Sequence, residues 1–104
     1  MTLQPLPGLR VVVAWSDRRP DGRASARNLC TMISDALGSI AGADEVHRLS
    51  DDASVVHTTL TAAELRDRLR ERLSAGEGVF VADFEVWSGH GEALDAHWLL
   101  ARGH

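Results

Sequence analysis

The stretch LTAAELRDRLRERLSAGEGVFVADFEVW, Leu60 to Trp87, constrains the fold more tightly than any other part of this chain. Thr61 followed three residues later by Glu64 spells a capping box, in which each side chain satisfies a backbone donor at the start of a helix. Leu60 before the cap and Leu65 at the fourth helical position form a hydrophobic staple that sets how the chain enters that helix. Leu65, Leu69 and Leu73 make one apolar stripe, and Glu64, Arg66, Asp67, Arg68, Arg70, Glu71 and Arg72 fill the remaining surface. The helix therefore has one face to bury. Gly76 supplies a left-handed stop, and the run Val79 to Phe84 after Gly78 is short and rich in β-formers, so a strand follows.

The rest of the chain falls into place around this unit. Met1 to Gly8, with Pro5 and Pro7, is an irregular lead-in, and Leu9 to Trp15 is apolar on both faces after Arg10, as a central strand requires. Ser16 to Gly22 has the turn chemistry to end it. A helix beginning between Asp21 and Ser25 runs to about Ile40, with Ala26, Leu29, Cys30, Ile33, Leu37 and Ile40 on its apolar side. Glu45 to Leu49 and Ser54 to Thr59 are two short strands joined by a hairpin turn at Ser50-Asp51-Asp52. The order strand, helix, strand, strand, helix, strand predicts an α+β fold of the ferredoxin-like βαββαβ type, a two-layer sandwich forming a single domain over residues 1–104. The tail predicts a short extra strand through Val86 and Trp87 and a last helix over Glu92 to Arg102, with Ala93, Leu94, His97, Trp98 and Ala101 on one face.

Composition narrows the functional classes. The net charge of −4 argues against a protein that holds nucleic acid on a broad basic surface, since that affinity depends on many phosphate neutralisations. All 11 basic residues are arginine, which points to coding bias and lowers the information in any arginine cluster. The single cysteine, Cys30, excludes an internal disulfide and a cysteine-based zinc cluster, and its spacing puts it on the buried helical stripe. No run reaches the ~18 apolar residues of a membrane span, and the N-terminus lacks a signal-peptide core, so a cytoplasmic location is expected.

Chemistry is expected where loops gather. With the first and third strands read as adjacent and parallel, the loops leaving them emerge at one sheet edge. That brings Ser16, Asp17, Arg18, Arg19, Asp21, Arg23 and Arg27 near Thr58, Thr59 and Thr61. Helix N-termini there favour an anion, with Arg18, Arg19 and Arg23 as its ligands. Asp17 and Asp21 are alternatively ligands for Mg²⁺ or Mn²⁺. On the last long strand, Phe80, Ala82, Phe84 and Val86 are expected to face the helices. Val79, Val81, Asp83 and Trp87 then face away and form a homodimer interface. The five histidines show no recognised metal spacing, although His47 and His57 are placed to face each other across the hairpin.

The run VVHTTLTAAELRDRLRERLSAGEGVFVADF, together with the strand Val11 to Trp15 and the pair Trp98-Leu99, resembles the small bacterial SinR-like proteins. These are related to the CRISPR-associated spacer-acquisition endoribonuclease-like family and to virulence-associated protein D. The resemblance implies a ferredoxin-like fold and homodimers whose sheets pack together. In catalytic members it implies an aspartate at the end of the first strand that binds the metal for phosphodiester cleavage. Here Ala14 or Trp15 stands at that place and Asp17 follows two or three residues later. The expectation is therefore a small homodimeric interaction module without catalysis and without a cofactor, with a further protein partner as a candidate. The alternative is an endonuclease acting on RNA or DNA through Asp17 and Mg²⁺ or Mn²⁺. A third reading is a small-ligand binder or monooxygenase-like enzyme, which requires a pocket of roughly 300 Å³ between sheet and helices near Trp15, His57 or Phe84.

Overall fold

The computed structural model describes residues 6–16 and 22–102, and the side chains of 22–28 lie outside that description. Strand β1 covers Gly8–Ser16, helix α1 Gly22–Ala41, strand β2 Val46–Arg48 and strand β3 Ala53–Thr58. Helix α2 then covers Ala62–Arg70, strand β4 Glu77–Phe84 and helix α3 Ala96–Arg102, with a single 3₁₀ turn at Ala43–Glu45 before β2. The result is an α+β fold whose four strands lie in the order β2-β3-β1-β4.

Every neighbouring pair in this sheet is antiparallel. The parallel pairing expected for the first and third strands is therefore overturned. The reason is topological: α1 returns the chain to β2 in the direction of β1, and the hairpin to β3 reverses it. β1 ends at Ser16 beside Glu77, whereas β3 ends at Thr58 beside Gly8. β1 and β3 thus end at opposite ends of the sheet, and Thr58, Thr59 and Thr61 are carried away from the Ser16 end.

The capping box forms as the sequence requires. Glu64 N–H donates to Thr61 Oγ1 and Thr61 N–H donates to Glu64 Oε1, both at 3.1 Å. Gly76 adopts φ 84°, the left-handed conformation that turns the chain from α2 into β4 without a Cβ clash. Leu65 and Leu69 are fully buried, and Leu73 packs against the same core. That core lies between one sheet face and α1 with α2. It contains Val12 and Ala14 of β1, Val56 of β3, and Leu29, Ile33, Ala36 and Leu37 of α1. Cys30 is buried on α1, as its place on the stripe predicts.

Strand β4 turns the other way from the expectation. Val79 and Val81 pack against the helical core, and Phe80 is 56% exposed on the opposite face. Register decides this, because Val12 pairs with Val81 and Ala14 with Val79, and paired residues share a face. Counting hydrophobic residues on each side of β4 favoured the wrong face because both sides are apolar.

The tail also differs. Residues 85–95 form no strand, and α3 begins at Ala96 rather than Glu92. Asp95 Oδ1 accepts the Trp98 N–H at 3.0 Å, so Asp95 is the N-cap of α3. The late start rotates the buried position to Leu99, which is 2% exposed, while His97 and Ala101 face solvent.

Candidate functional site

The second face of the sheet, opposite α1 and α2, is built by alternation. Leu9, Val11, Val13 and Trp15 of β1 share it with Val55 and His57 of β3 and with Phe80, Ala82 and Phe84 of β4. One end is covered by the tail. Leu9, Val55 and Leu99 form a second buried cluster, flanked by Leu49, Phe84, Trp87, Leu94 and Trp98. The other end carries Val13, Trp15 and Phe80, and Trp15 is 45% exposed.

Trp15 is held in place by what lies beneath it. Its cross-strand partner is Gly78, and a Cβ on Gly78 would stand 2.6 Å from the indole ring. The indole thus covers a glycine on β4, close to the exposed Phe80. This produces an apolar surface without a charged side chain among Val11, Val13, Trp15, Phe80 and Ala82.

A polar lock holds the tail over the first end. The β2/β3 register puts His47 opposite Val55, so the residue facing His57 is Glu45 and not His47. His57 Nδ1 lies 2.9 Å from Glu45 Oε2, and Arg102 Nε donates to the same oxygen at 2.8 Å. The hydrogen bond from Arg102 holds the Glu45 carboxyl below its ordinary range, reinforced by His57 and opposed by partial burial. Arg102 also donates to the Asp44 carbonyl at 3.1 Å and lies 4.4 Å above the Trp98 ring. Trp98 Nε1 donates to that same carbonyl at 2.8 Å. The Asp95 N–H donates to His47 Nε2 at 3.0 Å, so that nitrogen carries its lone pair here.

The sequence-derived site residues fare unequally. Asp17, Arg18, Arg19 and Asp21, proposed for anion or metal binding, lie outside the described residues, as does the side chain of Arg23. Among the described residues no group of three or more His, Cys, Asp or Glu side chains is placed to hold a metal ion. Of the expected interface residues, Val79 and Val81 pack against the helical core and Trp87 packs under the tail. Asp83 lies on the helix side of β4 and pairs with Arg10 Nε at 2.9 Å, its own side chain 61% exposed. Arg10 Nε also donates to the Leu60 carbonyl, which ties β1 to the staple residue before α2.

Trp15, His57 and Phe84 all lie on the sheet face away from α1 and α2, so they do not line the pocket a ligand binder was expected to need. The apolar cleft that Phe84 does line, with Val11, Val55, Val86, Leu94 and Leu99, has a volume of about 260 Å³ and opens to solvent beneath the tail. Sequence reasoning missed Arg10, Glu45, Leu99 and Arg102. Only Asp95 three residues before Trp98 offered a readable signal, as an N-cap pattern. Among the described residues, no helix is long and apolar enough to cross a membrane.

Comparison with protein-family models gives no match, and searches of curated proteins and of solved structures give no significant match.

Proposed function

We propose that this chain is a noncatalytic, homodimeric interaction module that joins two copies through the open end of its second sheet face. The observation that carries the reading is the exposure of Trp15 and Phe80, diagonal neighbours in the β1/β4 register on a face where none of the described strand residues Val11, Val13, Trp15, Phe80 and Ala82 is charged. A second copy is the occupant that fits. An isologous contact sets a patch against itself, and a patch free of charge meets no like-charge repulsion when it does so. Two half-exposed aromatic side chains offer roughly 200 Å² of the ~800 Å² per partner that a standard interface buries, so the association is modest and concentration-dependent.

A ferredoxin-like assignment is part of this proposal. Read from the other edge, the strand order is β4-β1-β3-β2, all antiparallel, with each helix linking two strands of the same direction. That arrangement supports two interleaved βαβ units. The resemblance to SinR-like proteins, a cytoplasmic setting and membership of the CRISPR-associated endoribonuclease-like superfamily are the accompanying inferences. They rest on the capped helix and the following strand described from the sequence.

The test is sedimentation equilibrium over a range of micromolar concentrations on the native chain and on Trp15→Glu and Phe80→Glu variants. Self-association that each substitution weakens at unchanged far-UV circular dichroism is the expected result. A native chain that stays monomeric throughout, or a dimer indifferent to both substitutions, rules the reading out.

A further inference from the structure

The two edges of the sheet are treated differently. The β2 edge is short, with a strand of only 3 residues, and the tail fastens beside it through the Asp95 contact to His47 and the Trp98 and Arg102 contacts to Asp44. The β4 edge is an 8-residue strand, and among the described residues no strand pairs with its outer side. Its register with β1 runs without a bulge from Leu9–Phe84 to Ser16–Glu77. It contains no proline, lysine or arginine. A long, regular edge without a bulge or proline is a template for another strand, and the inward-pointing carboxylates of Glu77 and Asp83 leave it guarded against any strand that does not bring the opposite charge.

Charge selects the strand. The ionisable side chains of β4 are Glu77 and Asp83, with Glu85 immediately after it, and all three are acidic. Paired residues in antiparallel strands share a face, so self-pairing about a two-fold axis is limited to registers centred on a residue. Centring on Phe80 sets Glu77 opposite Asp83 of the second copy, and centring on Val81 sets Glu77 opposite Glu85. These are the registers of longest overlap, and both oppose like charges, which destabilises a cross-strand pair. The edge thus disfavours its own copy and favours a strand that carries cations.

We propose that the outer edge of β4 binds an extended basic segment of another protein by strand addition. The partner segment has arginine or lysine at two positions six residues apart and β-branched residues between. Glu77 and Asp83 are separated by that interval on one face, a span of about 20 Å in a strand. Glu77 uses Oε1 to accept the Ser74 N–H at 2.6 Å, and Asp83 uses Oδ1 for Arg10, so each carboxylate has its second oxygen for an incoming cation. Between them, the incoming β-branched side chains meet Val79 and Val81. Main-chain hydrogen bonds supply affinity and the two carboxylates supply selectivity.

The probe is a fluorescein-labelled, end-capped peptide, Arg-Thr-Val-Thr-Val-Thr-Arg, titrated against the full chain and followed by anisotropy. Controls replace both arginines by glutamate or the central threonine by proline. Expected are saturable binding of the first peptide, binding at least fivefold weaker for each control, and slowed amide exchange within residues 77–84. The isosteric Glu77→Gln should weaken binding by about threefold and Glu77→Gln with Asp83→Asn by more, from the size of cross-strand charge pairs. Equal affinity for the acidic or proline peptide, no binding at all, or unchanged exchange throughout residues 77–84 overturns the proposal. The dimer measurement above stands apart from it, because Trp15→Glu leaves the β4 edge intact.

Discussion

Replacing Leu99 by alanine tests how the tail is held on the sheet. Leu99 is 2% exposed and packs with Leu9 and Val55, flanked by Phe84, Trp87 and Leu94. Truncating a buried leucine costs about 2–5 kcal/mol, and the cost falls when the site can refill. The cleft of about 260 Å³ beside Leu99 opens to solvent, so water reaches the vacated space and the loss belongs near the lower end, ~2–3 kcal/mol. Part of that is felt locally, because α3 has 7 residues and can undock before the core of α1, α2 and the sheet unfolds. Urea unfolding followed by circular dichroism gives the global change, and amide exchange over 96–102 gives the local one. Undocking also uncovers Leu9 and Val55, which extends the open face past Val11, so the variant should associate more strongly than the native chain at equal concentration. A global loss below ~1 kcal/mol combined with unchanged exchange over 96–102 would refute the reasoning, since Leu99 would then contribute nothing to docking.

Three further outcomes follow from named contacts. Thr61→Ala removes the acceptor for the Glu64 N–H and should lower stability by about 1 kcal/mol in urea unfolding, with Thr61→Ser close to native. Glu45 has a folded-state pKa below its ordinary value, chiefly through Arg102. Its contribution is therefore present above the ordinary carboxylate range and is lost as pH falls through the depressed folded value. Exchange over 96–102 should quicken through that acid range in the native chain and show no such step in Glu45→Gln. Gly78→Ala forces the Trp15 indole aside, since a Cβ would stand 2.6 Å from it. An altered tryptophan emission and weaker self-association are expected, with the fold retained because the ring already borders solvent.

The part of the fold written in local chemistry was legible. Thr61 and Glu64 cap a helix by their own side chains, and Gly76 ends its turn with a left-handed conformation, so neighbours in sequence suffice to specify both. Strand order in the chain likewise followed from alternating short apolar runs and amphipathic stretches. Faces and directions did not. Which side of β4 meets the helices depends on its register with β1, and VFVADF is apolar enough on both sides to leave that open. The polar lock was less legible still, because Arg102 reaches Glu45 across 57 positions and no local pattern marks either residue. Asp17, the expected catalytic residue, lies outside the described residues, and Thr58, Thr59 and Thr61 sit at the end of the sheet away from Ser16.

The open end of the second face follows from lengths. β1 has 9 residues and spans about 30 Å in extended geometry, whereas α3 has 7 and spans about 10 Å as a helix. Helix α3 can cover the Leu9 end of β1 or the Trp15 end, but not both. Its lock fixes the choice, since Arg102 is tied to Glu45 and Asp95 to His47, beside the end where Leu9 pairs with His57. A sequence selected only for a monomer could place polar residues at the uncovered positions at no cost to its core, because those side chains face away from α1 and α2. Here those positions hold Val13, Trp15 and Phe80. The two carboxylates of β4, Glu77 and Asp83, lie instead on its helix side, close to its free edge. Apolar surface on one open face and acid along one open edge are thus two separate chemical demands. On the proposed reading the first meets a like surface and the second a strand of opposite charge.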